Sequence, residues 1–223
     1  MKKLLFLILF AFFFTPSCDE KESSNVLPCT FVDYWYYNDE PYSIGAMSGD
    51  YILLGVKSVN TIELIEEFIA SKTYFDQSFK YKVYEDSLYR YIVVKLYKTC
   101  MCEEIAWILE DAKENSIVSS ANYTIESADC DNPIFEKAGE ECVYAYSNFF
   151  HIRVKDPSDL SDLNHTLSET NTWIKEQNDF MDNWFSIYTD KDSRGDALQM
   201  ANYFYETGLF DASEPDIFQI VIE

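Results

Sequence analysis

The sequence predicts an α+β protein in which the element order β-α-β-β-α-β occurs twice. Three observations carry that expectation. Strict apolar alternation, as in Tyr89 to Tyr97, marks half-buried strands, while apolar residues three and four apart mark helices. A first pass through the order over residues 51–126 is followed by a second over residues 149–223. Only six glycines and six prolines punctuate the 223 residues, which favours regular elements with short connections.

At the N-terminus, Lys2 and Lys3 precede an unbroken apolar run from Leu4 to Phe14, then Thr15, Pro16, Ser17 and Cys18. This is the layout of a secretory signal over residues 1–17, because eleven apolar residues fall short of the about 20 that span a bilayer. A cysteine after an apolar run and a small residue resembles the processing site of bacterial lipoproteins. On that reading Cys18 is the lipid attachment point, and the alternative is ordinary secretion with Cys18 an incidental thiol. The acidic and polar stretch behind it, DEKESSN, is similar to the surface-export signal of Bacteroidetes lipoproteins, or else a plain solvated linker. The expected address is the cell envelope, lipid-anchored, at the outer-membrane surface.

Residues 18–50 form a tether and an aromatic lead-in. Tyr34, Trp35, Tyr36 and Tyr37 run into the turn signal Asn38, Asp39, Glu40 and Pro41, read as a strand and turn packing on the first unit. Tyr51 to Val56 is the first strand of that unit. Asn60 or Thr61 then caps a helix whose Ile62, Ile65 and Ile69 share a face. Tyr74 to Tyr84 and Tyr89 to Tyr97 read as two strands, the second with one buried face. Thr99 opens a helix with Met101, Ile105, Ile108 and Ala112 inward, and Ile117 to Ile125 closes the unit.

Residues 127–148, with Asp129, Asp131, Asn132, Pro133 and Gly139, read as a linker. The second unit opens with a strand at Phe149 to Val154 and a helix capped by Asp159. Strands at Thr172 to Phe180 and Trp184 to Thr189 follow. Its last helix is the most fully specified element: Asp196 and Gln199 form a capping box, Ala197, Met200, Ala201 and Phe204 share a face, and Gly208 ends it. Leu209 to Ile222 is the closing strand. A β-α-β-β-α-β unit is the split-βαβ, or ferredoxin-like, arrangement, so two tandem ferredoxin-like repeats are expected.

Loss of residues 1–17 removes two lysines and no acids, leaving 15 basic and 39 acidic residues and a net charge of −24. That sign repels phosphate backbones, so nucleic acid is excluded as a partner, and the membrane is reached through the lipid alone. Besides Cys18 there are five cysteines, an odd number, so at least one thiol stays outside any internal disulfide. Cys130 and Cys142 flank the linker at a distance suited to closing a loop. Cys100 and Cys102, if in one helical turn, point about 200° apart and cannot chelate one ion together. No metal or cofactor site is expected.

Catalytic constellations are sparse. The two histidines, His151 in a strand and His165 on a helix, read as packed or surface residues. No Gly-x-Ser-x-Gly elbow or phosphate-cradling glycine loop occurs, and Arg194-Gly195-Asp196 reads as a turn and helix cap. No catalytic residue is assigned.

The stretch DALQMANYFYETGLFDASEPD, with the aromatic lead-in and the strand pair around Trp184 to Thr189, resembles the N-terminal, prodomain-like region of Bacteroidetes subtilisin-like serine protease lipoproteins. The resemblance implies a ferredoxin-like protease-propeptide fold whose sheet packs on two helices of a protease. Acidic residues would cap those helices, and a C-terminal tail would lie in the cleft. By position Glu214 and Asp216 are the caps, and Ile217 and Phe218 begin the tail; the alternative leaves both acids as solvated residues at a strand start. No His-Gly-Thr or Gly-Thr-Ser segment is present, so protease activity does not carry over. The expected function is a non-catalytic protein-binding lipoprotein, a protease inhibitor or folding aid with a subtilisin-like protease as partner. The other expectation is a glycan- or host-protein-binding surface lipoprotein.

Overall fold

A computed structural model describes residues 27–127, 130 and 141–222. The signal segment, Cys18 and its tether, most of the connection after residue 127, and Glu223 lie outside the described residues.

The described residues form an α+β fold, with an eight-stranded antiparallel sheet, a two-stranded hairpin and four helices. It begins with a hairpin, β1 (Tyr34–Tyr37) and β2 (Glu40–Ser43). Asn38 and Asp39 between them both have positive φ, the two-residue turn whose twist matches that of paired strands. Next come β3 (Met47–Lys57), α1 (Ile62–Ser71), β4 (Val83–Glu85), β5 (Tyr89–Lys95), α2 (Cys102–Lys113) and β6 (Val118–Glu126). The chain continues through β7 (Glu141–Val154), α3 (Ser161–Thr170), β8 (Trp173–Gln177), β9 (Trp184–Tyr188), α4 (Ala197–Glu206) and β10 (Phe210–Ile222).

The strand order is β4-β5-β3-β6-β7-β9-β8, with β10 on the other edge of β7. β6 pairs with β7 through Thr124, Ile125 and Glu126 alone, and there the sheet folds back on itself. Alternation along the strands produces three cores. Ile52, Leu54 and Ile92 face α1 and α2. Phe150, Ile152, Phe185 and Ile187 face α3 and α4. Tyr51, Leu53, Tyr89, Tyr91 and Val93 meet Val143, Ala145, Phe149, Ile220 and Ile222 in a layer that contains no helix. The result is four layers, with helices outside and two sheet halves face to face.

Several boundaries differ from the sequence expectations. The expected strand at Tyr74–Tyr84 shrinks to Val83–Glu85. Tyr74 and Phe75 instead cover the end of the first core, where Asp111 accepts the Tyr74 hydroxyl at 2.8 Å. β5 is buried on both faces, not one, because the second sheet half covers its outer side. β7 begins at Glu141 and not at Phe149, its first half held between β6 and β10. Met101 is the N-cap of α2 and is 70% exposed, so it is not on the inner face.

The lead-in packs chiefly across the second half and not on the first alone. Gln199 donates to the Thr30 carbonyl at 3.0 Å, Tyr36 stacks on Tyr205, and Val32, Trp35 and Ile44 join the second core. Cys29 and Cys102 form a disulfide that pins this strap to α2, and Cys130 and Cys142 form another. Among the described residues Cys100 is a free, buried thiol. Among the described residues no helix is long and apolar enough to cross a membrane.

Candidate functional site

The two sheet halves cover each other incompletely. The layer between them ends where Tyr89 packs on Phe149 and Tyr188, and Tyr91 on Phe218, with ring centroids 5.1–6.1 Å apart. β7, β9 and β10 run on past that edge. Period-two alternation carries His151, Ser186 and Glu214 onto the same outer face, beyond the cover. They form one row across three strands, with His151 opposite Ser186 on one side and Glu214 on the other. The Ser186 Oγ lies 3.1 Å from His151 Nδ1.

Two clefts share this row. One, of about 340 Å³, enters the wedge under the β4–β5 turn and is lined by Asp86, Tyr91, Lys175, Asp216 and Phe218. Burial in the layer behind it pushes the Tyr91 phenol well above its ordinary pKa, and its hydroxyl donates to the Asn148 side-chain carbonyl. The other, of about 330 Å³, is open to the β8–β9 turn and is lined by Asn178, Met181, Trp184 and Glu214. That turn is built by Asn178, whose side-chain oxygen accepts from Phe180 N at 2.9 Å and Met181 N at 3.0 Å. It projects Phe180, 94% exposed, and Met181, 48% exposed, beside Trp184.

Both cations on this face are engaged within the protein. Lys175 sits at a break in the β8–β9 register, with its ammonium 3.9 Å from the Phe149 ring centre and 3.9 Å from Asp86 Oδ2. Arg153 lies over Trp184 and 3.8 Å from Asp211 Oδ2. Among the described residues, Glu176, Glu214 and Asp216 make no ion pair.

The residues singled out from sequence divide as follows. Glu214, Asp216 and Phe218 line the clefts. Ile217 faces the opposite way, into the core beneath α3 and α4. The segment expected to extend as a tail is not free: Ile217 to Ile222 pair with Tyr146 to Glu141 as the end of β10. The ladder satisfies its backbone and Ile220 and Ile222 are buried, which holds it in place. Cys18 lies outside the described residues. Sequence reasoning read His151 as a packed or surface residue and Trp184 as the start of a strand, and did not single out Ser186 or Lys175. Alternation puts them on one face, but no local signal says that this end of the face lacks a cover.

Another cavity, of about 290 Å³, separates α2 from the start of α4. Several of its polar groups serve the fold. Asp196 accepts from Gln199 N at 2.8 Å as the helix cap and from the Tyr146 hydroxyl at 3.0 Å. Burial raises the pKa of Asp196, against the hydrogen bonds that lower it. Lys191 donates to the Lys113 and Asn115 carbonyls at the end of α2. Among the described residues no group of three or more histidine, cysteine or acidic side chains is disposed to hold a metal.

No protein-family model and no curated protein matches the chain. A solved structure, the acetolactate synthase small subunit from Thermotoga maritima, aligns with 77% of this chain and 95% of that one. The identity is 11% and the TM-score 0.28, a likeness that carries no argument about this protein.

Proposed function

We propose that the chain is a non-catalytic binding module, anchored through Cys18 in the cell envelope, built from two tandem ferredoxin-like repeats and directed at a protein partner. The observation that carries this reading is the half-face bearing Trp184, Met181 and Glu214, which no other described residue covers. A sheet surface that keeps aromatic and carboxylate side chains in open clefts is suited to recognition. The strand order supports the repeat reading: β3 to β6 lie as β4-β5-β3-β6, and β7 to β10 as β8-β9-β7-β10, the same arrangement twice. Two disulfides favour an oxidising compartment.

The Ser186 and His151 pair does not argue for hydrolysis. β9 is paired on both sides, by β7 and β8, so its backbone N–H groups are committed to the ladder and supply no backbone oxyanion hole beside Ser186.

A subtilisin-like protease is the partner to test first, on the resemblance of residues 196–216. With Ile217 to Ile222 engaged in β10, contact would run through the half-face and not through an inserted tail. Calorimetric titration of purified protein against subtilisin-like proteases, with residual activity measured in parallel, tests this; neither binding nor inhibition would remove the protease partner. Palmitate labelling of the wild type against Cys18→Ala tests the anchor, and equal label in both would remove it.

The glycan reading draws on Tyr37 and Tyr42, which are both exposed beside Trp35. Their rings meet at 53–73° and so form no flat stacking platform. A glycan array that binds wild type but not Tyr37→Ala would favour it.

A further inference from the structure

We propose that the uncovered half-face docks a basic segment of another protein, one that carries lysine or arginine side chains spaced by apolar ones. This rests on the binding-module reading and names the chemistry of the partner. The trough formed by the two clefts, joined at His151 and Ser186, offers carboxylates at Glu176, Glu214 and Asp216. Asp179 and Asp182 flank the exposed Phe180 and Met181. Lys175 lies 3.9 Å from Asp86 and Arg153 3.8 Å from Asp211, so with two cations offset by these two acids the remaining carboxylates leave the face negative. Between the acids lie Trp184 and Met181, apolar contacts for the spacers.

The same charge argues against a second copy as the occupant. Two chains of net charge −22 would bring their acidic troughs together. Strand addition is disfavoured as well. β8 is an edge strand, but it is five residues long, broken in register between Ile174 and Glu176, and turns Lys175 inward, features that blunt an edge. β10, likewise an edge strand, is broken in register between Phe210 and Ala212 and between Pro215 and Ile217 and carries Pro215, which blunts it too, so contact falls on the face.

The two histidines make the test selective, since His151 lies in the trough and His165 is exposed on α3, in the helical layer behind the sheet. The full-length protein, with no added histidines, is titrated with a short synthetic peptide alternating lysine and leucine while the imidazole NMR signals are followed. The His151 signals are expected to move and those of His165 to stay. Replacing lysine by glutamate or leucine by serine in the peptide, or introducing Glu176→Lys with Glu214→Lys or Trp184→Ala in the protein, is expected to weaken binding by about tenfold or more. An unchanged His165 spectrum shows that each variant is folded. The proposal is overturned if both histidines respond alike or neither does, if the glutamate peptide binds equally, or if the doubly charge-reversed protein keeps its affinity. A stable dimer that protects His151 overturns it too. Protease binding that survives charge reversal defeats the docking face alone, whereas peptide binding at His151 without any protease binding defeats the protease partner alone.

Discussion

At the scale of single residues, Asp196 and Asp111 make stability respond to pH in opposite directions. Burial raises the pKa of Asp196, so the protonated form is the one the fold prefers. Its contribution is fully present below the ordinary carboxylate value of about 4 and is lost as pH rises through the higher folded value. Asp111 is the converse. Burial pushes its pKa upward, but the hydrogen bonds from Lys72 at 2.5 Å and Tyr74 at 2.8 Å prevail, and the pKa is lowered. Its contribution is present above about pH 4 and is lost as pH falls through the folded value. Denaturant unfolding across a pH series separates the two: Asp196→Asn is expected to flatten the decline above about pH 4, and Asp111→Asn the acid limb. Asp196→Ala removes the cap of α4 and leaves the buried Tyr146 hydroxyl without its acceptor, at a cost of about 2–4 kcal/mol. A loss under 1 kcal/mol, read from the unfolding midpoint, would mean that water replaces the carboxylate.

At the scale of elements, the helices show why some of the fold was legible and some was not. Everything that defines α4 is local: Asp196 and Gln199 bond reciprocally, four small or apolar residues recur on one face, and Gly208 takes φ 68° just past the end. A Cβ at Gly208 would meet nothing within 4 Å, so Gly208→Ala tests backbone strain alone, with an expected cost of about 1–2 kcal/mol. The start of α2 was misread because Thr99 looks like a cap. In the fold its hydroxyl is spent on Asp50 at 2.6 Å, and Met101 begins the helix with Glu104 bonding back to its N–H at 2.9 Å. Nothing near Cys29 in sequence announces its bond to Cys102, 73 residues away. In the chain-entropy account, Cys29→Ser costs about 4 kcal/mol and Cys130→Ser, which opens a 12-residue separation, about 3. Thermal melts of both variants check that order, and a larger loss from Cys130→Ser would mean that native contacts and not loop length decide.

At the scale of the whole molecule, the aromatic layer between the sheet halves joins them into one body. Phe149 touches Tyr89 from the other half and Tyr188 and Lys175 from its own. Phe149→Ala should therefore cost about 3–5 kcal/mol and separate a single unfolding transition into two, followed through Trp107 in one half and Trp184 in the other. Coincident transitions in the variant would show that the strap through Cys29 and Gln199 suffices for cooperativity. The sequence by itself determined the element types, their order, the identity of the last helix and the strongly acidic character, because these depend on local periodicity, capping and composition. It also drew attention to Glu214, Asp216 and Phe218. Only the tertiary structure decided that the strand faces away from the helices bury each other, that this cover stops short of His151, and that the expected tail is the end of β10. A period of two tells which residues share a face but not what packs on it. That depends on partners distant in the chain, Tyr89 for Phe149 and Tyr91 for Phe218, and so does the open trough where recognition is proposed.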